Sequence, residues 1–254
     1  MSAWRRAILI PLVLCALGAT ASASCRSDGP TGEVPNRTAA SPTDAGLQTQ
    51  RRPVSGFDRV HVSGVGLLVI TPGAPDALSV EAEPDLLSRI RSRVEDGQLE
   101  IGPAPGSGLS SRRPIVYRLT ASNLRGLWLS GAAGARAAGL RGDDLTLEVD
   151  GRGRASLTDL RLSHLSVVLS GAGRATLTGA ATRQEITITG AGRYQGEGLE
   201  SRQATVSLTG AGLCRLRVSD RLDVDLTGTG RVSYLGSPDL HQTVLGTGLV
   251  TRAG

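Results

Sequence analysis

The chain has 254 residues with 34 glycines, and its 2 % aromatic content excludes a bulky globular core in favour of a thin, layered one built from Leu, Val, Ile and Ala. Lysine is absent, so all 28 basic residues are arginine, and the net charge of +5 becomes 26 − 23 = +3 once Arg5 and Arg6 are set aside with the leader. That small, interspersed surplus argues against a nucleic-acid partner, which calls for a concentrated basic face.

Residues 1–24 read as a signal peptide. Arg5 and Arg6 form its basic start, residues 7–17 its apolar stretch, and residues 18–24 a run of small side chains. The apolar stretch is too short for a stable transmembrane helix. Two processing routes follow. Ala21-Ser22-Ala23 is an A-x-A site at which cleavage after Ala23 releases a soluble periplasmic or secreted protein, and Ser22-Ala23-Ser24-Cys25 resembles a bacterial lipobox in which Cys25 is lipidated. Residues 26–52 are rich in Ser, Thr, Pro, Gly, Asn and Asp, as in a disordered stalk, and a stalk directly behind Cys25 favours the lipid-anchored route. The expected location is the cell envelope, as an outer-membrane lipoprotein touching the membrane through its N-terminal anchor only. With Cys15 in the leader and Cys25 acylated, Cys214 has no disulfide partner and reads as a small buried hydrophobe.

Residues 53–130 are irregular. One strand–turn–strand unit runs through Val60 and Val62, Gly64-Val65-Gly66, then Leu67 to Ile70. A strand at 78–83 follows, with a short polar–apolar stretch at 84–92. Asp96-Gly97 between Val94 and Leu99/Ile101 predicts a hairpin, residues 102–114 a loop, and residues 115–120 and 127–129 further strands. These residues are expected to form the first rungs or a cap.

From 131 to 254 one pattern dominates. A Gly-x-Gly corner or near variant recurs with its first glycine at Gly131, Gly151, Gly171, Gly190, Gly210, Gly228 and Gly246, in steps of 20, 20, 19, 20, 18 and 18 residues, the first corner (Gly131 to Gly134) being one residue longer. Two residues before it stand Val149, Leu169, Ile188, Leu208, Leu226 and Val244. Four before it stand Leu147, Val167, Ile186, Val206 and Val224, until Gln242 breaks the column. Mostly polar residues lie between, which is the period-two pattern of a strand with one buried face. A unit of about 19 residues cannot bury that face alone, so the units must stack coil on coil. The expected fold is an all-β, right-handed parallel β-helix (β-solenoid), its hand following from crossover chirality.

The chain from about Val54 to Val250 resembles the bacterial auto-transporter adhesin head domain family, also called the GIN domain family. The likeness rests on Gly56-Phe57-Asp58-Arg59-Val60, on Glu95-Asp96-Gly97-Gln98-Leu99, on the repeated Leu-Ser-Gly-Ala-Gly and Leu-Thr-Gly-x-Gly corners, and on Tyr234-x-Gly236-x-Pro238. The resemblance implies a right-handed parallel β-helix in an exported, often lipid-anchored protein with an adhesive or ligand-binding role. It carries over no catalytic residues.

The residues themselves point the same way. Asp223 and Asp225 flank an inward Val224, and their equivalents one rung back are Thr205 and Ser207, not carboxylates; His61, His164 and His241 lack metal-ligand spacing, and no nucleophile motif appears. No catalytic residue, metal or cofactor is expected. One sharper feature is a column just past the corners: Arg154, Arg174, Arg193 and Arg231, interrupted by Leu213 and Leu249, with Arg136 nearby in the first turn. Stacked, these form an anionic-ligand ladder suited to sulfated, phosphorylated or uronic polysaccharide or to lipid phosphates. The leading expectation is an envelope-tethered β-helix that binds polysaccharide or a surface protein. Alternatives are a self-assembling structural envelope protein and, behind it, a polysaccharide-active enzyme.

Overall fold

The computed structural model describes residues 46–253. The leader, Cys25 and most of the expected stalk lie outside them. The described chain is a parallel β-solenoid. On its first side, Arg59–Gly64, Gly126–Gly131 and Arg141–Gly151 pair in parallel, followed by the later halves of Arg154–Gly171 and Arg174–Gly190, then Gln203–Gly210, Arg221–Gly228 and Asp239–Gly246. Past the glycine corner the second side stacks Leu67–Pro72, Gly134–Ala138, the opening halves of the two long strands, Arg193–Glu200, Leu213–Arg217, Arg231–Leu235 and Leu249–Arg252. A third, shorter side closes each coil. It begins where the alternation of buried and exposed residues slips, beside Asp159 (φ 51°) and Gly179 (φ 122°).

The corners hold because consecutive coils share hydrogen bonds through them. Gly151 accepts from the Ala172 N–H at 2.8 Å, and Gly190 from the Ala211 N–H at 2.9 Å. At Gly151 φ is 97°, and a β-carbon there would sit 2.7 Å from the Gly131 carbonyl oxygen, so both backbone conformation and close approach demand glycine. Inside, Leu147, Val167, Ile186, Val206 and Val224 lie in one file, none more than 2 % exposed. Burying each such side chain contributes roughly 1.5–3 kcal/mol.

The N-terminal coils depart from sequence order. Residues 98–121 form a coil on the far side of residues 59–72, so the 59–72 coil lies between 98–121 and 126–138. The predicted hairpin joins Ile90–Glu95 to Gln98–Pro103, with Asp96 (φ 48°) and Gly97 (φ 74°) both left-handed as its two-residue turn requires. Ala77–Ala82 runs antiparallel to Val116–Ala121, and Pro84–Leu87 is a single helical turn.

Two expectations need correction. Residues 48–52, assigned to the stalk, form the strand Gln48–Arg52, antiparallel to Ala77–Ala82, with Arg52 donating to the Leu87 carbonyl at 2.6 Å. Its side chains are mostly exposed, so backbone pairing orders a segment whose composition carries no apolar signal. The corner after Gly131 is not longer than the rest. Gly134 pairs with Arg154, so buried Ala133 takes the place that later coils give to their second glycine.

Candidate functional site

On the second side, side chains alternate in and out of a sheet whose coils repeat about every 4.8 Å. Register sets Gly134, Arg154, Arg174, Arg193, Leu213, Arg231 and Leu249 in one outward file. Arg154, Arg193 and Arg231 are exposed and Arg174 is half-buried. Arg136 falls outside this file. It aligns with Ser156, two residues further on, in a second outward file that continues through Thr176, Gln195, Arg215, Ser233 and Thr251. From Gly134 to Thr251 neither file contains a carboxylate. Among the described residues, none of Arg136, Arg154, Arg174, Arg193 and Arg231 has a carboxylate within 4.0 Å, whereas Arg215 meets Glu197 at 3.4 Å. The first side is different: its outward positions include Glu148, Asp150, Glu185, Asp223 and Asp225.

The remaining titratable candidates do not converge. Asp223 is held by two 2.8 Å bonds from Arg221, and those bonds keep its carboxyl below the usual carboxylate range. It is a locked ion-pair partner, not a free acid beside Asp225. His61 Nε2 lies 2.6 Å from Ser130 Oγ, while His164 and His241 neighbour Asp144 and Asp239 on separate coils. No group of three or more potential metal ligands occurs among the described residues. Cys214 is fully buried, and burial pushes its thiol well above the ordinary range, which leaves it unreactive.

A groove of about 1060 Å³ on the third side has no counterpart in the reading of the sequence. Its lining comes from successive coils, at Leu162, Ala181, Ser201, Val218 and Gly236. The cause is chain length. Between the last inward residue of the second side and the first of the next coil, Leu157 to Leu165 spans eight residues, while Leu216 to Leu222 and Tyr234 to Leu240 span six. The final coils cut across the third side and leave a step. Beneath it the core turns polar. Gln184, wholly buried, donates to Ser201 Oγ at 2.6 Å and accepts from the Tyr194 hydroxyl at 2.7 Å, and Ser201 donates to the Arg217 carbonyl at 2.7 Å. The shortening of the repeat from 20 to 18 residues is the one sequence signal that could have found this groove.

Comparison with known proteins gives fold and family. A putative adhesin from Bacteroides fragilis NCTC 9343 is similar in structure at TM-score 0.78 and 21 % identity, over 84 % of this chain and 99 % of that one. A protein from Parabacteroides distasonis ATCC 8503, described as a putative lipid binding protein, follows at 0.70 and 17 % over 83 % and 98 %. A putative adhesin from the same organism has 0.63 and 19 % over the same shares. No curated protein sequence matches the chain. At these identities the solved structures establish the β-solenoid alone. The family description "Putative auto-transporter adhesin, head GIN domain" matches residues 56–238, from just before the strand Arg59–Gly64 to just before the last described coil, and the chain therefore belongs to that family.

Proposed function

We propose that this chain is an envelope-tethered adhesive domain that holds an anionic surface polysaccharide against its second side. The family is described as one of auto-transporter adhesins, and membership supports an adhesive role in an exported, envelope-associated protein. The observation that supports the finer reading is the carboxylate-free pair of files carrying Arg136, Arg154, Arg174, Arg193 and Arg231. Guanidinium groups a coil apart match repeated carboxylate or sulfate groups and make charge-assisted, bidentate contacts with them. Lipidation at Cys25 would hold the domain at the membrane, with the segment behind it as spacer.

The test is retention on immobilised polygalacturonate or heparin. The Arg154→Ser/Arg174→Ser/Arg193→Ser variant is expected to elute at clearly lower salt than the native chain, since exposed charges act through a screened field. Equal elution would overturn the assignment. For the anchor, labelled palmitate is expected in the native protein and absent from Cys25→Ala; label in both, or in neither, removes the lipoprotein reading.

A further inference from the structure

We infer that the third-side groove is a recognition subsite for a short run of an acidic linear polysaccharide, an assignment that rests on the polysaccharide reading above. Four of five successive coils offer an outward hydroxyl along it, Ser163, Thr182, Ser219 and Ser237, with Arg202 in the third place. At one coil every 4.8 Å or so, the row has the regular advance of a chain of identical sugar rings, with Ser219, which donates to Asp220, left to accept and Ser237, which accepts from Arg252, left to donate. Arg161, Arg202 and Arg217 also line the groove; Glu200 is the acid of the lining itself, and Asp159 stands 3.9 Å from Arg161 at its margin. Arg202 is tied to Asp220 at 2.8 Å, but among the described residues Arg217 has only the Glu197 carbonyl as side-chain partner, at 3.1 Å, which leaves its other donors for a carboxylate.

Two other occupants fit less well. An acyl chain would strip water from three guanidinium groups and a row of hydroxyls without pairing any of them, a large cost. It would also rest above Gln184 and Ser201, the two buried polar side chains of the described core. A peptide strand would need free backbone edges. Much of the groove wall's edge is already used, because Arg202 N–H bonds to Thr182, Ser219 to Ser201, Asp220 to Arg202 and Asp239 to Asp220 across the coils. A polyhydroxylated, carboxylate-bearing chain instead pairs with both kinds of side chain present.

The groove and the arginine file lie on different sides, so separate variants address them. Trigalacturonate is the probe, with maltotriose as its neutral counterpart and cis-parinaric acid as the amphiphile. By titration calorimetry on the native chain, trigalacturonate is expected to bind and maltotriose to bind at least about 10-fold more weakly, as loss of a charge-assisted pair implies. Ser219→Trp, which fills the groove from an exposed position, and Arg217→Gln should each weaken trigalacturonate by about 10-fold or more. Ser237→Trp replaces Ser219→Trp should the latter not fold. The Arg154/Arg174/Arg193 triple variant should keep the share of trisaccharide binding that Ser219→Trp and Arg217→Gln remove, even where it no longer retains the polymer. Native-like trisaccharide binding in both groove variants, or none by the native chain, overturns the subsite. So does equal affinity for maltotriose, or uptake of cis-parinaric acid that Ser219→Trp abolishes while trigalacturonate does not compete. Loss of polymer retention in the triple variant alone speaks to the arginine file and leaves the subsite standing.

Discussion

At the scale of single residues, the core shows how one coil absorbs an exception. Successive coils place Ala155 with Leu157, Ala175 with Leu177, Tyr194 with Gly196 and Cys214 with Leu216 at equivalent inward positions. Tyr194 fills the volume that its neighbours assign to a leucine two residues on, and a β-carbon on Gly196 would lie 2.5 Å from its ring. Gly196→Leu alone should therefore destabilise the fold by roughly 1–3 kcal/mol through overpacking. Combined with Tyr194→Ala it should recover part of the loss, the remainder being the buried Gln184 Oε1 left without its hydroxyl donor. Denaturant unfolding of the two single variants and the double decides this, and additive losses would contradict the volume exchange. The buried phenols and thiol also set an alkaline limit. Burial raises Tyr117 to about 12, and Cys214 and Tyr194 are raised too, so each stays neutral in the fold while the unfolded chain ionises. Their contribution is complete below about pH 8.5 and is lost as pH climbs through 10 towards 12 and beyond, because the unfolded state then binds fewer protons. Thermal midpoints should fall across that window and not below it.

At the scale of the coil, the glycine corner is the part most exposed to substitution. Gly210 has φ 117°, and an added β-carbon would stand 2.6 Å from the Gly190 carbonyl oxygen. Gly210→Ala should cost about 2 kcal/mol or more, from left-handed strain plus a displaced neighbouring coil. Gly108→Ala, in a loop with open space around it, should be nearly neutral. Thermal unfolding of the pair checks the contrast. These corners were readable in advance, since a glycine whose carbonyl caps the next glycine must recur once per coil, and the aliphatic columns fell where their two-residue period put them. Arg154, Arg174 and Arg193 could be aligned by counting from that corner. Arg136 could not, because Ala133 stands in for a glycine and shifted the apparent count. The third side was opaque for a different reason. Its alternating runs, such as Leu160 with Leu162 and Leu199 with Ser201, are too short to announce a strand, and the groove arises from a length difference between coils, not from any residue type that announces a binding surface.

On the scale of the whole molecule, the two ends differ. Antiparallel strands and the Pro84–Leu87 turn cover one end, whereas the last described coil, 239–252, has a neighbour on one face. There Leu245 is 62 % and Leu249 48 % exposed, and Gln242 replaces the aliphatic residue of its inward column. Because a solenoid is held by neighbour-to-neighbour contacts, that coil is the least supported. Hydrogen exchange should reach the amides of 239–252 first and those of 160–190 last; uniform protection along the stack would show a more global cooperativity than this architecture implies.

The coil at 59–72 has both of its neighbours later in the chain, at 98–121 and 126–138. A ribosome or an export channel delivering the protein from its N-terminus would thus present that coil long before either partner exists. Assembly cannot begin there and grow outward. The first pairing of that coil waits for residues 98–121 and its second for 126–138, whereas beyond 126 each turn meets the very next one, so the 59–72 coil settles into a slot both of whose walls are made after it.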